Sequence, residues 1–140
     1  MTGKFFLDTN IFVYPFDDRQ PHKGEIARRL ISEALQTGSG LVSWQVMQEF
    51  INVSTRKFAV PLKPADVSLY LEKVLHPLCQ VFPDLDLYRS AIDIQEQTRY
   101  SFYDALIVAA ALRGGCTRLY SEDLQPGRLV GKLEIRNPFE

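Results

Sequence analysis

Short apolar runs alternate along this chain with longer stretches whose apolar residues recur at helical spacing, and that alternation leaves few folds open. The runs are Lys4 to Leu7, Leu41 to Ser43, Gln80 to Phe82, Leu119 to Ser121 and Leu133 to Arg136, each of strand length. Between the first two, "PHKGEIARRLISEALQTG" sets Ile26, Leu30 and Ala34 at helical spacing and stops at Gly38, a suitable C-cap. "SWQVMQEFINVSTRKF" reads as a second helix, with Ser43 as N-cap and Met47, Phe50, Ile51 and Ser54 around one side. "KPADVSLYLEKVL" starts at a proline and repeats Val67, Leu71, Val74 and Leu75 at steps of three and four. "DLDLYRSAIDIQEQTRY" and "SFYDALIVAAALRGG" add two more helices. Parallel strands need crossover connections of this length, so the pattern predicts an α/β fold with a parallel sheet covered on both faces.

The bulk properties narrow the class. A chain of 140 residues is expected to form one domain, residues 1–140, because it has enough surface to bury a single core and no repeat or linker divides it. Its 16 basic and 17 acidic side chains leave a net charge of -1, so the field of the whole molecule will not pull it onto nucleic acid or an anionic membrane. Any polyanion must be met by a local patch. The N-terminal "MTGKFFLDTN" reaches acid and amide too early for a signal peptide, and no apolar run nears the roughly 18 to 20 residues of a membrane span, so a cytoplasmic protein is expected. Cys79 and Cys116 sit in apolar surroundings and read as reduced core thiols. With only His22 and His76 besides them, both read as surface residues, no zinc-like cluster forms.

The acids are more informative. In an open parallel sheet, ligands bind beyond the carboxyl ends of the strands. Asp8 follows "FFL" directly and so leaves the first strand at that end. Asp123 lies just past Leu119 and Tyr120, on the same edge if the strands are parallel. The helix holding Asp104 leads through "RGGC" into that strand, which puts the start of the helix, with Asp104, at the carboxyl edge. Glu49 is in the second turn of the helix leaving Ser43, and helical side chains tilt toward the N-terminus. Four acids from distant segments thus converge. Like-charge repulsion opposes that unless cations neutralise them, and carboxylates without His or Cys suit Mg²⁺ or Mn²⁺.

Each acid alone has an ordinary structural explanation. Asp8 caps a following turn as readily as it binds an ion. "SFYD" matches the capping box, with Ser101 as N-cap and Asp104 reaching back. Glu49 falls about 130° from the centre of its helix's apolar arc, where a solvated side chain is the default. Asp123 in "SEDLQPG" suits a turn, and Glu122 beside it suits a solvated charge. Trp44, Phe102 and Tyr103 near helix starts suit the core better than base stacking, and Arg28, Arg29 and "STRKFAVPLK" suit exposed helix faces. No Gly-rich phosphate loop, GxSxG or CxxC occurs.

Four blocks, "FFLDTNIFVY", "SWQVMQEFINV", "YSFYDALIVAAAL" and "RLYSEDLQPG", taken in this order and with "IRNPF" at the end, resemble the PIN-domain nucleases, in particular the VapC toxins of toxin-antitoxin pairs. The resemblance implies a three-layer α/β/α sandwich around a mostly parallel sheet of about five strands, and divalent-metal ribonuclease activity. It assigns metal binding and catalysis to Asp8, Glu49, Asp104 and Asp123, and supporting roles to Asn10 and Ser121. It also implies an RNA substrate, a cognate antitoxin over the acidic cleft and a toxin homodimer. Where some relatives carry a further acid, this chain has Leu124 and Gln125, which counts against a fully occupied second metal site. Two alternatives stay open: a non-catalytic RNA- or protein-binding module, and a Mg²⁺-dependent phosphatase. The second needs an acid two residues after Asp8, where this chain has Asn10.

Overall fold

The computed structural model describes residues 3–140. Its centre is a six-stranded sheet of order β3-β2-β1-β4-β6-β5, built from β1 (Lys4–Leu7), β2 (Gly40–Ser43), β3 (Cys79–Val81), β4 (Cys116–Tyr120), β5 (Leu129–Val130) and β6 (Leu133–Arg136). All pairings are parallel except β5 with β6. Five strands match the apolar runs to within a residue or three. The sixth, β5, is two residues long and too short to leave an alternation in sequence; Gly131, in a left-handed turn, folds it back onto β6.

The helices are α1 (Thr9–Val13), α2 (Pro21–Thr37), α3 (Trp44–Arg56), α4 (Pro64–Tyr70), α5 (His76–Leu78), α6 (Leu85–Thr98) and α7 (Phe102–Arg113). From β1 the chain moves outward through α2 to β2, and through α3, α4 and α5 to β3. It then returns by α6 and α7 to β4 on the other side of β1. Right-handed crossovers in opposite directions put the first group of helices on one face and the second on the other. The contacts agree: α2 packs on α1 and α5, while α6 packs on α7. The expected three-layer α/β/α sandwich is what forms.

Local signals explain the joints and also two departures. Gly38 ends α2 in the left-handed conformation, as its position predicts. The buried stripe of α2 is Ala27, Ile31 and Ala34, leaving Ile26 and Leu30 half-buried, so the face is turned by one residue from the apolar reading. Ser43 occupies the N-cap position of α3, but its hydroxyl makes no capping bond, contrary to expectation. Between α4 and α5, Leu71–Leu75 form a π-helical turn, with the His76 N–H bonded to the Leu71 carbonyl. Pro77 follows and lacks an N–H, which favours displacing the ladder there. The core runs through Phe5, Phe6, Leu7, Phe12, Phe50, Leu119 and Ile135, all without solvent exposure. Cys79 and Cys116 are free thiols, half-buried and buried. Among the described residues no helix is long and apolar enough to cross a membrane.

Candidate active site

β1 and β4 are neighbours from which the chain departs in opposite directions, which makes the gap beyond their carboxyl ends the switch point of the sheet. Loops diverge there and leave a crevice. Asp8 is the first residue past β1, and its N–H is bonded to the Tyr120 carbonyl at the end of β4. The carboxylate is 9% exposed, caps α1 by accepting from the Thr9 N–H at 2.7 Å, and accepts from Ser121 Oγ at 2.7 Å. Burial pushes its pKa up to about 6; the bonds from Ser121 and Thr9 oppose the rise, and the charges of Glu49 and Asp123 add to it. The cap and the cation readings of Asp8 are therefore compatible. One oxygen starts the helix, and the side chain still faces two other acids.

Glu49 is half-buried rather than solvated, which corrects the reading from its helix's apolar arc. Thr9 Oγ1 donates to its Oε1 at 2.5 Å and Gln45 Nε2 to its Oε2 at 3.1 Å. Gln45 lies one turn earlier on α3 and is buried, whereas Ile51 is exposed and Met47 half-buried. The buried face of the helix thus includes the polar Gln45, bonded to Glu49, which no hydrophobic count detects. Sequence reasoning missed both Thr9 and Gln45. Gln45 precedes Glu49 by the four residues that make side chains neighbours on a helix, a signal that points to it.

Asp104 sits in the first turn of α7, with its N–H donating to Ser101 Oγ at 3.2 Å. Only that half of the capping box forms, and the Asp104 carboxylate is exposed. Behind it, Ala105 to Ala111 are buried on all sides, as an apolar helix requires. Asp123 is on the rim too, and its pKa is raised by partial desolvation and then by the charges of Glu122 and Asp104. Ser121 has no exposure; its Oγ accepts from the Asp123 and Leu124 N–H groups at 3.3 Å each, holding the turn in which Asp123 stands. Asn10 makes no bond to any acid, and both polar atoms of its amide are buried without a partner among the described residues.

Glu122 is not a free solvated charge. Lys23 approaches its Oε2 at 2.5 Å and Tyr14 OH donates to its Oε1, tying the turn after β4 to α2. Sequence reasoning carried no signal for this pair, whose partners are 99 residues apart.

The structure thus brings Asp8 near Glu49 and Asp123, and Asp123 near Asp104. Among the described residues none of the four has a basic partner within salt-bridge distance. Nor, in the conformation observed, do any three His, Cys, Asp or Glu side chains stand close enough to hold one metal ion. The donors are all hard oxygens and their charge is uncompensated, so by chemistry the set suits Mg²⁺ or Mn²⁺.

Such a fold and cleft define an α/β protein with an acidic switch-point crevice. The sequence matches the PIN domain family over residues 5–131, and the chain belongs to that family. No curated protein matches it. Among solved structures it is similar to a toxin-antitoxin complex from Klebsiella pneumoniae, with 15% identity over 98% of this chain and 99% of that one, at a TM-score of 0.69. It is similar also to DNA-bound VapBC from Salmonella typhimurium (18% identity, 98% and 99% covered, TM-score 0.65). A third is VapC20 of Mycobacterium tuberculosis, a toxin that cleaves the sarcin-ricin loop (20% identity, 86% and 90% covered, TM-score 0.60). At these identities the likeness is one of fold.

Proposed function

We propose that this protein is a divalent-metal-dependent endoribonuclease, the toxin of a toxin-antitoxin pair, acting through Asp8, Glu49, Asp104 and Asp123. The observation that carries the reading is the buried Asp8 carboxylate at the β1/β4 switch point, facing two further acids with no basic partner. Family membership and the toxins of the same fold support it.

A bound Mg²⁺ or Mn²⁺ supplies charge neutralisation at the phosphate and a lowered pKa for the attacking water. The chain's own part is positional. Asp8 is held at both oxygens by Thr9 N and Ser121 Oγ, and so serves as the fixed ligand. Glu49 is oriented through Thr9 and Gln45. Asp104 and Asp123 on the rim are able to turn toward the ion and the substrate. Water attacking phosphorus in line with the leaving 3′ oxygen breaks that bond and leaves 5′-phosphate and 3′-hydroxyl ends, with the 2′-OH a spectator. An antitoxin covering the acidic crevice and a toxin homodimer belong to the same proposal.

The rival reading, a non-catalytic module whose acids only cap helices, draws support from the Asp8 and Ser101 caps. Incubation with total cellular RNA, with and without Mn²⁺, separates the two. Cleavage that needs the metal, vanishes in Asp104→Asn and leaves 5′-phosphate ends is expected. Cyclic 2′,3′-phosphate ends that survive chelation, or no cleavage by either protein, would overturn the proposal; turnover of small phosphoesters in place of RNA would favour the phosphatase.

A further inference from the structure

Beside the acids a cavity of about 470 Å³ opens between the starts of α3 and α7. Trp44, Tyr88, Phe102 and Tyr103 stand along it, with Ser43 and with Gln45, whose amide is bonded to the Glu49 carboxylate. Trp44 and Tyr103 are not core residues, as their sequence positions suggested, but 42% and 66% exposed; Tyr88 is 38% exposed, while Phe102 is half-buried against the core as expected. Phe102 meets Tyr103 edge-on at 5.5 Å and Tyr88, tilted, at 6.2 Å, so these three rings form a wall, while Trp44 lines the cavity with its ring against Phe82 at 5.7 Å. Flat apolar faces at the mouth of a pocket suit a flat ligand.

Two polar atoms in this wall lack any partner among the described residues, Ser43 Oγ and Gln45 Oε1, on residues only 3% and 9% exposed. A polar atom buried in this way destabilises the free protein, and a ligand that bonds it regains the loss. The Gln45 amide has one possible orientation, because its Nε2 already donates to Glu49 Oε2 and, at 3.2 Å, to the Tyr103 carbonyl. Its Oε1 is therefore a fixed acceptor. The Ser43 hydroxyl, which makes no capping bond, is free to donate or accept. A phenylalanine of a protein partner would stack here and leave both atoms unsatisfied, and a tyrosine or tryptophan would bring a single polar group for the two. A nucleobase stacks equally well and carries a donor beside an acceptor on its edge.

We propose that this pocket binds one unstacked nucleobase of the RNA beside the cleaved phosphodiester, read by Gln45 Oε1 and Ser43 Oγ and stacked on the aromatic wall. It rests on the ribonuclease reading, since Gln45 links the pocket directly to Glu49. The site selects a nucleotide at the cut, whereas the acids are indifferent to base identity.

Trp44 is the chain's single tryptophan and reports on the pocket directly. The full chain, in chelator and without divalent metal, is titrated with adenosine, guanosine, cytidine and uridine 5′-monophosphates while its fluorescence is followed. Saturable quenching is expected, with one base preferred by about threefold or more. Ser43→Ala should keep the quenching and lose the preference, and Tyr88→Ala should weaken binding about tenfold. Thermal unfolding of both variants confirms that they fold. Mapping of cut ends then asks whether the nucleotide bias at the cleavage site flattens in Ser43→Ala. No saturable quenching by any of the four, or quenching only by an aromatic peptide, overturns the pocket. An unchanged bias in both variants overturns it while leaving the nuclease intact. Absence of RNA cleavage sinks the ribonuclease instead, and the titration still decides whether the pocket takes a base.

Discussion

A carboxylate almost without access to water, at the end of a central strand, opposes folding unless something compensates its charge. For Asp8 the ordinary pKa of 3.8 becomes about 6 in the folded chain, chiefly through desolvation. The folded state therefore favours the protonated acid. Its penalty is absent below the unfolded pKa and grows as pH rises through about 6, to on the order of 3 kcal/mol at neutrality. Asp8→Asn removes that penalty and gives up one of two accepted hydrogen bonds, about 1 kcal/mol. The metal-free variant should melt several degrees above the parent at pH 7.5, with the gap narrowing by pH 5. Added Mn²⁺ should stabilise the parent and leave the variant unmoved. Differential scanning calorimetry at the two pH values, with and without Mn²⁺, checks both; a variant less stable than the metal-free parent at pH 7.5 contradicts the charge argument. Asp8 was legible in sequence because an acid directly after "FFL" has few explanations. Glu49 was sent to the same edge, but its half-buried setting was not legible, because what orients it is a buried glutamine and a threonine from α1, and an apolar arc counts neither.

At the scale of elements, the end of α2 lies close over the amino end of β2. Gly40 opens β2 directly beneath α2. A Cβ there would meet the Ala34 Cβ at 2.3 Å and two ring atoms of Phe5 at 2.6 and 2.8 Å. Both neighbours are fully buried and have nowhere to move. Gly40→Ala should destabilise by about 1 to 3 kcal/mol, the usual effect of overpacking a close-packed interior. Urea denaturation followed by circular dichroism measures it, and a change within about 0.5 kcal/mol would show that α2 lifts off freely. The elements themselves were largely readable, since period and caps are local: Gly38, Pro64 and Ser101 mark helix ends where they were expected. The rotation of α2 and α3 about their own axes was not. It depends on which face the neighbouring layers leave open, and in α3 that face holds Gln45 as well as Val46 and Phe50.

For the molecule as a whole, charge limits how the proposed RNA substrate would be held. A net charge of -1 gives no long-range attraction, and among the described residues Lys23, the base bonded to the acid beside Asp123, is already engaged by Glu122. If about three phosphates are neutralised, affinity for single-stranded RNA should fall roughly twentyfold between about 50 and about 200 mM salt. Fluorescence anisotropy with a labelled oligonucleotide and the Asp104→Asn variant tests this, and a drop of about a thousandfold would reveal a basic track that the fold does not present. By itself the order of apolar runs and helical stretches determined a parallel α/β sandwich, because backbone hydrogen bonding and burial periodicity are properties of short segments. It also sent four acids to one edge, because strand direction assigns each loop to an end of the sheet. Only the tertiary structure decided which polar groups hold those acids: Ser121 on Asp8, Thr9 and Gln45 on Glu49, Lys23 and Tyr14 on Glu122. Most of these pairs are dozens of residues apart, and a hydrogen bond a few ångströms long exists only once packing has brought its donor and acceptor together.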